Sequence, residues 1–106
     1  MKQKVSDYIA DYIANWGIRD VFTVTGGGAM HMNDAFGHHP KLHCTYQHHE
    51  QACAMAAEAY ARMDNRMAAV CVTTGPGATN AITGVLGGWM DSIPMLVFSG
   101  QARYAT

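Results

Sequence analysis

The stretch HHEQACAMAAEAYARMDNRMAAVCVTTGPGATN, residues 48–80, decides the fold. Its first half, residues 48–63, reads as a helix. On a helix advancing about 100° per residue, Gln51, Met55, Glu58 and Arg62 share one stripe, where Glu58 and Arg62 pair at i,i+4. Glu50 heads the opposite stripe, with Cys53, Ala54, Ala57, Tyr60 and Ala61. A helix packed on a core buries that apolar stripe, so it carries a carboxylate on the wrong face. A carboxylate shielded from water needs a partner or a shifted pKa, and such groups cluster at functional sites. The plain alternative is an acid that complements the positive end of the helix. MAAVCVT, residues 67–73, is an apolar run suited to a strand buried on both faces. TGPGATN, residues 74–80, turns the chain into a further helix. Pro76 presets φ for a first helical turn, Gly75 and Gly77 leave the backbone bare, and Thr79 or Asn80 is free to cap or donate.

The same alternation runs outward in both directions. Val5, Ile9, Tyr12 and Trp16 recur at helical spacing, Tyr8 and Ile13 widen the stripe, and Gly17 is a C-terminal stop. A short β-rich run at 20–24 leads to the glycines at 26–28. Residues 29–37 suit a short helix, broken at Gly37 and Pro40, and 42–46 a second strand. The helix launched at Pro76 runs to about Trp89, and PMLVF at 94–98 is a fourth strand ended by Ser99 and Gly100. The order α-β-α-β-α-β-α-β predicts an α/β three-layer sandwich, a parallel sheet flanked by helices with right-handed crossovers. Four parallel strands make a small sheet, so the unit at 1–106 is expected to be incomplete at its C-terminal end.

Composition narrows the function. Hydrophobic residues make up 49% of the 106 and charged residues only 14%, so part of the surface is expected to be covered by more chain or by a partner. A net charge of −1, with no aromatics interleaved among Lys and Arg, gives no case for nucleic acid or an anionic membrane. The most apolar stretch, 81–98, is interrupted by Asp91 and Pro94, and no transmembrane helix is expected. Cys44, Cys53 and Cys71 form no CxxC and read as reduced, buried thiols of a cytoplasmic protein.

Ligands of parallel α/β sheets bind beyond the carboxyl ends of the strands. Four unusual segments follow the four predicted strands: the glycines at 26–28, His48-His49-Glu50, residues 73–80, and residues 99–101. They should converge on one rim. The glycine run is no dinucleotide fingerprint, because His31 stands where the third glycine belongs. The turn at 74–80 suits either phosphate at a helix N-terminus or a tight βα connection, and it has no Walker lysine. A metal site is not expected. His38 and His39 sit beside Pro40, in what reads as a solvated loop, and His43 lies along a strand. No G-x-S-x-G marks a serine hydrolase. His31, His48 and His49 are candidate polar neighbours of a ligand.

Taken in order, VFTVTGGG at 21–28, HHEQACAMAAEAYAR at 48–62, TTGPGATNAITGV at 73–85 and DSIPMLVFSGQ at 91–101 resemble the N-terminal pyrimidine-binding (PYR) domain of thiamine diphosphate enzymes. The resemblance is to the acetolactate synthase, pyruvate oxidase and benzoylformate decarboxylase group, and it covers nearly the whole chain. It implies that Glu50 is the glutamate that bonds N1′ of the cofactor aminopyrimidine and promotes loss of the thiazolium C2 proton. It implies cofactor contacts at Gly26, Gly27, Thr74, Pro76, Gly77 and Asn80. Thr25 stands where the family usually has proline, and Cys53-Ala54 where Gly-Ala is common. The family's GDG…N diphosphate segment, which carries magnesium, is absent from these residues. The resemblance therefore implies half a site, completed by a diphosphate-binding domain of another chain in a homodimer or larger oligomer, with a 2-oxo acid as substrate. Self-association through the Glu50 helix and residues 77–89 is expected. Other readings of the same residues are a non-catalytic assembly module, the small subunit of a split enzyme, and a flavodoxin-like nucleotide binder.

Overall fold

The structure, a computed structural model, describes residues 2–105. It contains α1 (Val5–Asn15), β1 (Asp20–Thr23), a 3-10 turn (Gly27–Ala29), α2 (Met30–His38), β2 (His43–Tyr46), α3 (Glu50–Asp64), β3 (Ala69–Val72), α4 (Pro76–Met90) and β4 (Leu96–Ser99). All strands pair in parallel, in the order β2-β1-β3-β4. The predicted α/β alternation is what forms.

Strand pleating divides the core in two. Val21, Ala69 and Cys71 face α1 and α2, where they meet Ala10, Ile13, Ala35 and Phe36. Val70 and Val72 point the other way, against Cys53 and Ala57 of α3 and Ala81 of α4. Every residue of β3 is buried, as its unbroken apolar run requires of a central parallel strand. α1 ends as its glycine predicts. Gly17 takes φ +108°, Ile18 donates to the Ile13 carbonyl at 3.0 Å and Gly17 to that of Ala14 at 3.1 Å. Buried Ile13 and Ile18 complete this end.

The aromatic members of the α1 stripe do not face the core: Tyr8, Tyr12 and Trp16 are largely exposed, while Ser6, Ala10 and Ile13 are buried. Small Ala10 lets the helix lie close, and the large side chains lean outward. They line a groove of about 350 Å³ with Leu96 and Phe98 on one side of β4. On the other side of that edge strand, Ile82, Leu86 and Trp89 line a second groove with Val97, also about 350 Å³. Apolar surface thus straddles an unpaired sheet edge, with Trp16 63% and Trp89 80% exposed. His39 is also not in a solvated loop. α2 continues through Gly37 to His38, and the turn at Pro40 folds the chain back. The His39 ring then bonds Asp11 of α1 at 2.9 Å and its side chain is only 12% exposed.

α3 and α4 pack closely through small residues. A Cβ on Gly84 would sit 2.5 Å from the Ala54 Cβ and 3.1 Å from the Met55 amide nitrogen. Gly84→Val is expected to force the helices apart and destabilise the chain by about 1–3 kcal/mol. Gly87→Ala, whose methyl meets only the movable Glu58 carboxylate at 3.0 Å, should stay within about 1 kcal/mol of the parent. Urea midpoints check both. The thiols give a second test. Burial pushes the Cys53 thiol up to about 12 and that of Cys71 to about 11, so both stay protonated near neutrality. At pH 8 a thiol reagent should label half-buried Cys44 first, and Cys53 and Cys71 only on unfolding. Because these folded-state values lie above that of a free thiol, their contribution to stability is complete below the free-thiol pKa. It is lost as pH rises toward 11 and 12.

Candidate functional site

β1 is the point where the sheet reverses direction: the chain passes from β1 outward to β2, then returns to lay β3 on the other side. At such a reversal the loops beyond the strand ends diverge and leave a crevice. Here the loops after β1, β3 and β4 meet.

Thr73, the first residue after β3, joins them. Its hydroxyl accepts the Gly28 N–H at 3.0 Å. A Cβ on Gly26 would lie 2.5 Å from the Thr73 Cβ, and one on Gly77 would lie 2.7 Å from its methyl. After β4, a Cβ on Gly100 would meet the Gly28 carbonyl oxygen at 2.5 Å and the Thr74 nitrogen at 3.0 Å. The glycines are therefore required by close approach of three backbones around two threonines. Gly27 and Gly75 differ: the space where their Cβ would lie is open, and Gly75 holds φ +59°, which favours glycine.

Glu50 is the first residue of α3 and half-buried. The stripe beneath it, Cys53, Ala54, Ala57 and Ala61, is buried as read from the periodicity, and Arg62 donates to Glu58 at 3.2 Å on the opposite stripe. One Glu50 oxygen, Oε1, accepts the Asn80 side-chain N–H at 3.0 Å. The other, Oε2, lies 3.3 Å from the position of a Cβ on Gly77. Burial is the main cause of the raised Cys53 thiol pKa, and the adjacent Glu50 charge adds to it. The carboxylate thus stands over the apolar floor of the rim.

α4 starts at Pro76 after Gly75, and the Thr79 hydroxyl donates to the Pro76 carbonyl at 3.2 Å. Thr74 accepts the Gly77 N–H at 3.3 Å through its carbonyl. Glu50, Thr74, Gly77 and Asn80 are linked by direct contacts, Pro76 lies in the same turn, and Gly26 reaches it through Thr73. Gly27 sits between the two glycines that touch the threonines. His31 and His48 are exposed and join none of these contacts. Sequence reasoning named the segments but not their hub, Thr73; its signal was a β-branched pair at a buried strand's end, opposite glycines ending two other strands. Among the described residues, no group of three or more His, Cys, Asp or Glu is placed to hold a metal ion, and no helix is long and apolar enough to cross a membrane.

The arrangement offers a carboxylate fixed by one amide, beside open backbone at Gly27 and Gly75. The family described as "Thiamine pyrophosphate enzyme, N-terminal TPP binding domain" matches residues 3–106. The chain is 37% identical over 99 residues to acetolactate synthase 2, chloroplastic, of Zea mays, covering 93% of this chain and 16% of that protein. It is 44% identical over 89 residues to an acetolactate synthase large subunit of Buchnera aphidicola, covering 84% of the chain and 16% of the relative. A Lactococcus lactis acetolactate synthase large subunit is 35% identical over 96 residues, covering 91% and 17%. The chain spans about a sixth of the length of these relatives. With its parallel α/β sheet and the rim at the sheet reversal, the chain belongs to the thiamine pyrophosphate enzyme family, to its N-terminal TPP-binding domain.

Proposed function

We propose that this chain is the pyrimidine-binding portion of an acetolactate synthase-like, thiamine diphosphate-dependent decarboxylase or carboligase acting on a 2-oxo acid, with Glu50 as its catalytic carboxylate. The contact between Glu50 and Asn80 carries the reading: a half-buried carboxylate is oriented by an amide at the glycine-rich rim where the loops after the strands meet. The residues fit the aminopyrimidine end of the cofactor. Gly26 and Gly27 present backbone without side chains, Thr74, Pro76 and Gly77 form the opposing turn, and open space lies over Gly27 and Gly75. The cofactor, when bound, supplies the carbanion chemistry at its thiazolium ring.

The protein's own work is positional and electrostatic. Glu50 holds a proton between its carboxylate and the ring nitrogen N1′, which requires that water be kept from the pair. Asn80 fixes which oxygen is committed and leaves the other to the ring. Cys53, Ala54 and Ala57 keep the ground beneath Glu50 apolar. The diphosphate and magnesium are assigned to a separate domain, from another chain of a homodimer or larger oligomer. The exposed apolar faces beside β4 support association, whereas the small-residue faces of α3 and α4 expected to do so are packed on each other within the chain. Three unpaired thiols suit the reducing cytoplasm.

The test joins this chain to a diphosphate-binding domain and follows exchange of the cofactor C2 proton. Glu50→Gln should slow exchange by about 10²–10⁴-fold, the range for a lost proton-transfer group. Unchanged exchange would contradict the assignment. Asn80→Ala, which leaves the carboxylate but removes its amide donor, should cost about ten- to a hundredfold.

A further inference from the structure

We infer that His49 is a positioning residue that sets Glu50 through a neutral imidazole of defined tautomer. α3 has no Ser, Thr, Asp or Asn at its N-cap; the cap is His49, in extended conformation at φ −151° and ψ 141°. Its ring nitrogen Nδ1 accepts the Gln51 N–H at 3.0 Å. Its carbonyl accepts from Ala52 at 3.1 Å and Cys53 at 3.3 Å. The Cys53 bond is the first regular i→i−4 bond of the helix, while the ring on Gln51 and the carbonyl on Ala52 bind two first-turn N–H groups that an α-helix leaves unpaired.

The chemistry of the acceptor decides the tautomer. A nitrogen that accepts from an amide carries no proton, so the proton of the neutral ring is on Nε2. Glu50 lies between the capping residue and the capped amide, so its Cα and χ1 origin are fixed by the same closure. From there its carboxylate reaches Asn80, thirty positions along the chain, at 3.0 Å. Loss of the ring acceptor frees the Gln51 amide and lets the first turn open. Glu50, as the first helical residue, moves with it. The inference rests on the reading of Glu50 as the functional carboxylate, but its geometry is measurable without cofactor.

The experiment uses the 106-residue chain and NMR. Long-range proton–nitrogen spectra should show His49 as the Nε2–H tautomer. His49→Ala should speed exchange of the Gln51 amide by about tenfold, the scale of a lost N-cap. It should also move the Asn80 side-chain amide signals toward those seen in Glu50→Ala. His49→Asn, which restores a side-chain acceptor at the cap, should return both to the parent values. An Nδ1–H tautomer in the parent chain overturns the inference, and that measurement stands even where the alanine variant does not fold. So do unshifted Asn80 signals in a folded His49→Ala, which would reduce the cap to local stability. Failure of Glu50→Gln to alter C2 exchange would instead strike the functional reading and leave these spectra unchanged.

Discussion

The close approach of α3 and α4 is the constraint on which the candidate site depends. Ala54 and Gly84 meet where larger side chains would hold the helices apart. Only at that separation does Asn80, near the start of α4, reach Glu50, at the start of α3. Both helix starts lie beyond the carboxyl ends of the strands, since each follows a loop that leaves the sheet. Packing between two small-residue faces thereby sets the geometry of a polar contact at their ends. The floor is apolar for the same reason: residues that let the helices approach also bury Cys53, Ala54 and Ala57.

A second layer of restraint comes from Thr73 and Thr74. They fill the space that side chains at Gly26, Gly28 and Gly77 would need, so loops from distant parts of the chain lock around them. The lock is made of backbone and short side chains, which have few rotamers to lose.

Much of this was legible in the sequence. The alternation of helical and strand patterns gave the sheet, the unbroken run at 67–73 identified its central strand, and the stripe under Glu50 was read correctly from periodicity. What was not legible depended on contacts between distant residues. Asn80 as the partner of Glu50 and Thr73 as the hub needed the strand order, which periodicity does not supply. The buried face of α1 was not legible either, because hydrophobicity alone ranks Tyr8, Tyr12 and Trp16 above Ala10. The helix buries its small face on the sheet and turns its aromatic one toward the β4 edge. His39 was misplaced for a related reason: its partner, Asp11, is 28 residues away in sequence.

The central claim is that Glu50 meets a ring nitrogen of the cofactor. The most direct measurement is a crystal structure of the chain assembled with a diphosphate-binding domain and thiamine diphosphate. The account predicts N1′ of the aminopyrimidine within about 2.6–3.2 Å of the Glu50 carboxylate. It also predicts that Asn80 remains on the other oxygen and that the ring lies over Gly27. An aminopyrimidine bound elsewhere, with Glu50 held by Asn80 alone, would contradict it.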